Sequence, residues 1–242
     1  MKNPTASMIV IGDEILSGRT SDTNVNYLAR KLFKIGIDLK EVRIVKDSKK
    51  SIICAVKNLK KSFDYVFTSG GIGPTHDDIT TISIAEAFDR NIEINKEAKK
   101  KLKEYYSKKG KKINSSILKM AQIPLGASLI DNNLTGAPGF KIENVYVMAG
   151  VPEIFKEMVL NILHNLKFGK PILTKTHIFL IGESEIADPL KELAREFTDI
   201  KIGSYPFTKD EEYGVNITFS GDSFELIERA VNRLKSVVKN KK

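Results

Sequence analysis

Apolar residues recur along this chain in two rhythms. Short continuous runs at Ser7-Met8-Ile9-Val10-Ile11, at Val42, Ile44 and Val45, at Tyr65-Val66-Phe67 and at Val145-Tyr146-Val147-Met148-Ala149 have the length and β-branched content of strands buried on both faces. Between them, apolar positions three and four apart predict helices. One carries Val25, Leu28, Ala29, Leu32 and Phe33 up to a stop at Gly36; a second runs from Ile52 to Leu59 behind the capping pair Asp47-Ser48. A third spans Ile79 to Phe88, and a fourth starts at Pro152, carries Phe155, Met158, Val159, Ile162 and Leu163, and ends near Asn165. Ile113 to Gln122 reads as a shorter helix and Ser128-Leu129-Ile130 as a short strand. Strands alternating with helices of this length make an α/β unit, with a mostly parallel sheet covered by helices on both sides.

The rhythm changes after Lys167-Phe168-Gly169-Lys170-Pro171. Beyond it come a strand from Thr174 to Leu180, a helix from Ser184 to Phe197 interrupted early by Pro189, strands from Ile200 to Tyr205 and Val215 to Phe219, and a helix from Phe224 to Val238. That order suggests a small α+β sandwich with both helices on one face of its sheet. The expected domains are therefore 1–168 and 172–242. The second overlaps in pattern with KH-type RNA modules, but Gly182-Glu183-Ser184-Glu185 does not supply the GXXG clamp such a module needs.

Ligands of parallel sheets bind at the carboxyl ends of the strands, and two loops open there. Ser69-Gly70-Gly71-Ile72-Gly73-Pro74-Thr75-His76-Asp77-Asp78 follows one strand and leads into a helix. Its glycines permit backbone conformations closed to other residues and leave a floor of N–H groups suited to phosphate or pyrophosphate. Two adjacent carboxylates at the same spot would repel that anion unless a hard divalent cation sat between them. The other loop is Gly12-Asp13-Glu14-Ile15-Leu16-Ser17-Gly18, followed by Ser21-Asp22-Thr23-Asn24. A third turn-rich stretch, Asp131 to Phe140, holds Asn133, Gly136, Pro138 and Gly139 and has the polarity to bond a ligand.

Composition changes this picture little. The formal charge of +9 is nearly all lysine, and the densest block, 95–112, reads as an exposed helix with a narrow apolar stripe at Ala98, Leu102 and Tyr105. Tyr105 and Tyr106 make a thin platform for base stacking, so nucleic acid is not the expected partner. Cys54, the only cysteine, excludes an intramolecular disulfide and falls in an apolar pattern that suggests a core position. No run approaches the roughly 18 apolar residues of a membrane span. With no room for a signal peptide before the first strand, a cytoplasmic protein is expected.

Four of these stretches carry a resemblance. Gly12-Asp13-Glu14-Ile15-Leu16-Ser17-Gly18 with Asp22-Thr23-Asn24, then Gly70 to Thr80, then Ala137-Pro138-Gly139-Phe140 and Ala149-Gly150-Val151-Pro152-Glu153 resemble the CinA-type branch of the molybdopterin-binding MoaB/Mog superfamily. The chain is also similar to the N-terminal domain of eukaryotic FAD synthases. It stops before the nicotinamide-mononucleotide amidohydrolase domain of full-length CinA, so that activity is expected to be absent. Thr135-Gly136 and Ala149-Gly150 depart from the family's usual Gly-Thr and Pro-Gly. The resemblance implies a Mog-like three-layer α/β/α fold that binds a phosphorylated pterin or a nucleotide and forms a homodimer. It also implies metal-dependent pyrophosphate cleavage of ADP-ribose or of a related dinucleotide such as FAD. Joined to the reading of the loops, it puts Gly70, Gly71, Gly73 and Thr75 on the pyrophosphate. Asp77 or Asp78, with Asp13 or Glu14, would hold Mg²⁺, Co²⁺ or Mn²⁺, and Asn24 and Asn133 would contact sugar, base or pterin. The alternatives are a non-catalytic binder of molybdopterin or a nucleotide and, more distantly, an RNA-associated protein.

Overall fold

The computed structural model describes residues 3–209 and 212–239, so the extreme ends of the expected domain ranges 1–168 and 172–242 and positions 210 and 211 lie outside the described residues. Two compact units divide between Gly169 and Lys170.

The first unit runs β1 (Thr5–Ile11), α1 (Asp13–Leu16), α2 (Asn24–Lys34), β2 (Asp38–Val45), α3 (Lys49–Ser62), β3 (Tyr65–Ser69) and α4 (Thr80–Ala87). It continues through β4 (Ile92–Ile94), α5 (Lys96–Lys108), α6 (Ser115–Lys119), β5 (Gln122–Pro124), β6 (Ser128–Ile130), β7 (Gly139–Ile142), β8 (Val145–Met148) and α7 (Pro152–Leu163). Six strands form one sheet in the order β2-β1-β3-β8-β7-β6. β2, β1, β3 and β8 are mutually parallel, β7 is antiparallel to β8, and β6 is antiparallel to β7. β6 therefore runs in the same sense as the parallel set, and its carboxyl end opens on the same edge.

The alternation of side chains along each strand splits the core in two. On one face Ile9, Ile11, Val66, Val145 and Val147 pack with Ile52, Val56 and Leu59 of α3, Ile84 of α4, and Ala98 and Leu102 of α5. On the other, Met8, Val10, Phe67, Tyr146 and Met148 pack with Leu28 and Leu32 of α2 and Phe155, Met158, Val159 and Ile162 of α7. This is the three-layer α/β/α arrangement with a mostly parallel sheet.

The second unit runs β9 (Leu173–Phe179), α8 (Glu183–Glu196), β10 (Lys201–Lys209), β11 (Glu212–Gly221) and α9 (Phe224–Lys239). Its antiparallel sheet has the order β10-β11-β9, and α8 and α9 bury Ile186, Leu193, Ile227, Val231 and Leu234 against Val215, Ile217 and Phe219. α8 continues through Pro189 without interruption, with the ring buried.

Several local expectations are corrected. Cys54 is exposed, because Ile52, Ala55, Val56 and Leu59 carry the buried face of α3 and position 54 turns away from it. Gln122 ends no helix: it opens β5, which pairs antiparallel with β4 in a separate two-stranded ribbon. Gly139 and Phe140, read from sequence as loop, begin β7.

One contact fixes how the loops leave the sheet. Gly70 follows β3 with φ of 111°, its N–H donates to Met148 O, and a Cβ there would lie 2.2 Å from the carbonyl oxygen of Ile11. The obstacle is backbone and cannot rotate away. A Gly70→Ala change is expected to cost on the order of 3 kcal/mol. Gly18→Ala, at φ of 72° with nothing within 4 Å, should cost only about 1 kcal/mol. Urea denaturation midpoints of the two variants measure the difference, and equal losses would mean that positive φ alone, not the close approach, sets the cost.

Candidate functional site

The carboxyl edge of the sheet holds a cavity of about 480 Å³, within the range of small-molecule sites. Most of its lining comes from the segments that follow β1, β2, β3, β6 and β8. Glu14 follows β1, Asp47 follows β2, and Gly70, Gly71, Ile72, Gly73, Pro74, Asp77 and Asp78 follow β3. Asn132, Thr135, Ala137 and Pro138 lie between β6 and β7; Ala149, Gly150, Val151 and Ile154 follow β8. In sheet order, the four carboxylates stand over β2-β1-β3 and the mainly apolar residues over β8-β7-β6. No lysine, arginine or histidine is among the lining residues.

The glycine loop is held by its own side chains. Gly71 has φ of 68°, its carbonyl accepts from Thr80 N at 2.9 Å, and a Cβ would lie 2.2 Å from Thr80 Oγ1. A Cβ on Gly73 would lie 2.7 Å from Asp78 Oδ2. That carboxylate oxygen accepts from Thr75 N at 2.8 Å and lies 2.5 Å from Thr75 Oγ1, which is also 2.5 Å from Asp77 Oδ1. Lys119 donates to the Thr75 carbonyl. Among the described residues, the amides of Gly71, Ile72 and Gly73, all three residues of the lining, donate to no protein acceptor.

The acidic wall is electrostatically strained. Burial pushes Asp47 above the usual carboxylate range; the amide of Asp13, which donates to its Oδ2 at 2.9 Å, opposes this, and the charges of Glu14, Asp13 and Asp77 reinforce it. Asp77 moves the other way, held low first by the Thr75 hydroxyl. Among the described residues, no group of three or more His, Cys, Asp or Glu side chains is preassembled around one point.

The residues expected from sequence fall into two sets. Glu14, Gly70, Gly71, Gly73, Asp77, Asp78 and Pro138 line the cavity. Asp13, Asn24, Thr75, Asn133, Gly136 and Gly139 are not among its lining residues, and the structure gives each another task. Asp13 caps Asp47 through its amide. Asn24 is 3% exposed and braces the site from below, its Nδ2 donating to Ser69 Oγ and Gly150 O, both at 2.8 Å. Thr75 has its amide and hydroxyl turned onto the two aspartates. Asn133 is exposed and donates to Glu157, while its neighbour Asn132 lines the cavity and ties the loop by donating to Thr135 Oγ1 and Ala137 O. Gly136 and Gly139 answer to packing: a Cβ would lie 2.6 Å from Tyr105 Cβ and 2.4 Å from Val147 O respectively. His76 projects to solvent, 99% exposed at its side chain.

Asp47 and Asn132 are among the lining residues that sequence reasoning passed over. Asp47 read as a helix cap, a role that Ser48 fills by accepting from Ser51 N. Its position just beyond β2, on the same edge as the other two loops, was the available signal.

Comparison with known proteins places this geometry. Residues 7–175 match the family described as "Probable molybdopterin binding domain", and residues 171–242 match "FAD synthase, middle domain". A protein of Archaeoglobus fulgidus is 34% identical over 237 residues, covering 97% of this chain and 98% of its own. A "Probable FAD synthase" of Caenorhabditis elegans is 31% identical over an alignment of 259 positions that covers 97% of this chain and 50% of that protein; the chain thus spans about half the length of that curated relative. The crystal structure of "the protein CinA with unknown function from Thermoplasma acidophilum" has a TM-score of 0.62 at 30% identity, over 66% of this chain and 98% of that one. Among the described residues no helix is long and apolar enough to cross a membrane. With a matching family over most of its length, a CinA structure on the same fold and the loop motifs gathered around one cavity, the chain belongs to the molybdopterin-binding MoaB/Mog superfamily, in its CinA-like branch.

Proposed function

We propose that this protein is a metal-dependent nucleotide pyrophosphatase acting on ADP-ribose or a related dinucleotide such as FAD. The observation that carries the reading is the composition of the cavity: the unpaired amides of the glycine loop, those of Gly71, Ile72 and Gly73, beside four carboxylates, with no cationic side chain in the lining. The amides favour a phosphate, whereas the carboxylates repel it. A hard divalent cation between the two resolves the conflict, and Mg²⁺ in particular binds through one or two carboxylates together with phosphate oxygens and water. The donor set is all oxygen, which suits such an ion. Mg²⁺, Co²⁺ and Mn²⁺ are the candidates. When bound, the ion supplies charge neutralisation at the phosphate and a coordinated water of lowered pKa.

The chain's own residues divide the remaining work. Asp77, Glu14 and Asp47 present the carboxylates that would hold the cation. Asp78 is a positioning residue: by accepting the Thr75 amide and hydroxyl it shapes the loop so that Gly71, Ile72 and Gly73 present their N–H groups to the pyrophosphate. The family description favours a second reading, a non-catalytic binder of molybdopterin or a nucleotide.

Incubation of the purified protein with ADP-ribose, FAD or NADH and each of the three ions is expected to release AMP. No release under any combination would remove the enzyme and leave the binder. Asp77→Asn should lower turnover by more than the roughly 10–100-fold typical of losing an outer partner of a metal ligand. Its exposed position leaves folding intact, which circular dichroism can verify.

Asp47 gives a test without catalysis. Its folded pKa lies above the unfolded one, so its contribution favours folding below the unfolded pKa and is lost as pH rises through the folded value. At neutral pH the ionised carboxylate opposes the fold. Asp47→Asn keeps an acceptor for the Asp13 amide and removes the charge. The metal-free variant is expected to melt at or above the wild-type temperature at pH 7 and to lose the stabilisation that Mn²⁺ gives the wild type. A variant that melts lower, or that keeps the full Mn²⁺ effect, would contradict this role.

A further inference from the structure

Tyr106 lies in the lysine-rich stretch whose aromatics the sequence alone gave no use, yet it lines the cavity together with Met120, Ile72, Ala137 and Pro138. We infer that Tyr106 is a specificity-determining residue of this site, favouring base-bearing ligands over bare phosphates: it is the aromatic surface on which the base of a nucleotide stacks. This rests on the proposed phosphate site and adds to it a second subsite for the base.

Four observations lead there. First, the lining is divided by topology: the carboxylates and open amides come from loops after β1, β2 and β3, whereas Tyr106 and its apolar neighbours, Ile72 apart, come from α5, the segment after α6 and the β6–β7 loop. A ligand that bridges both halves carries its charge at one end and a flat apolar surface at the other, which is the constitution of a nucleotide. Second, α5 is fastened to the cavity wall. Lys101 bonds Asp131 at 3.0 Å, a contact that raises the lysine pKa, and Gly136 approaches Tyr105 so closely that a Cβ would lie 2.6 Å from Tyr105 Cβ.

Third, the Tyr106 ring and backbone are held. Tyr105 meets it edge to face, with centroids 5.4 Å apart and planes at 79°, and the Tyr106 carbonyl accepts from Lys109 N at 3.1 Å and Lys111 N at 2.9 Å as the helix ends. Fourth, the two tyrosines differ in their hydroxyls. Tyr105 accepts from Lys109, whereas among the described residues the Tyr106 hydroxyl has no hydrogen-bond partner. Tyr106 packs against the core cluster that contains Ile84 and Leu102, so the aromatic ring rather than a bonded hydroxyl is its contribution to the inferred subsite. Aromatic side chains stack on any base because every base has a π-face, so the expected ligand class is base-bearing nucleotides rather than bare phosphates, with adenine as the probe.

Calorimetric titration of the full chain with ADP-ribose in its uncleavable form, the bridging oxygen of the pyrophosphate replaced by methylene, and with inorganic pyrophosphate, both in excess Mg²⁺, separates the two subsites. Tyr106→Leu should bind ADP-ribose about tenfold more weakly, as expected for a lost base–aromatic stack, and pyrophosphate as wild type does. Tyr106→Phe should match wild type for both, since the hydroxyl is unused. If Tyr106→Leu keeps its ADP-ribose affinity, or loses pyrophosphate affinity to the same extent, the stacking role is overturned while the phosphate site stands. If wild type binds neither probe, the phosphate site fails and the base subsite with it.

Discussion

The carboxyl edge of the sheet depends on the absence of three methyl groups. Gly70 passes under the carbonyl of Ile11, its Cα faces Gly150 so closely that a Cβ on the latter would come to 3.2 Å, and Gly71 lies over Thr80. These approaches bring the loops after β1, β3 and β8 within reach of one ligand. Asn24 then binds Ser69 and Gly150 together from beneath. The glycines serve close backbone packing first, and the amide-lined floor is what that packing leaves behind.

Electrostatics sets the second constraint. Four carboxylates share a wall with three unpaired amides, and burial and mutual repulsion hold Asp47 above its ordinary range. Such a surface is poised rather than satisfied: it favours a cation for its acids and an anion for its amides, and a metal-bound phosphate supplies both. The Thr75 side chain shows the same tension in miniature, one hydroxyl with a single proton to donate standing 2.5 Å from oxygens of two aspartates.

How much of this the sequence carries varies with the physics of each residue. The parallel strands and long helices are legible because burial on one or two faces imposes a period, and the glycine loop because few other residues tolerate its backbone. β4, β5 and β7 are only three or four residues long, too short for a period to emerge beside the turn residues around them. Cys54 illustrates the limit of an apolar pattern: residues on either side of it are buried, and helical phase alone decides that it is not. Asn133 was preferred although Asn132 lines the cavity, since two identical neighbours in a loop offer no sequence basis for choosing the one that turns inward. Asp47 was hidden by its resemblance to a cap, and Tyr106 by the lysines that surround it. Both become visible only when topology gathers distant segments at one edge.

The central claim is that this cavity accepts a phosphate only in company with a cation. Calorimetry of binding of ADP-ribose in its uncleavable methylene-bridged form to the metal-stripped protein, in the presence of Mg²⁺ and in the presence of a chelator, tests it most directly. Binding that requires Mg²⁺ is the predicted result; equal affinity under both conditions would contradict the account.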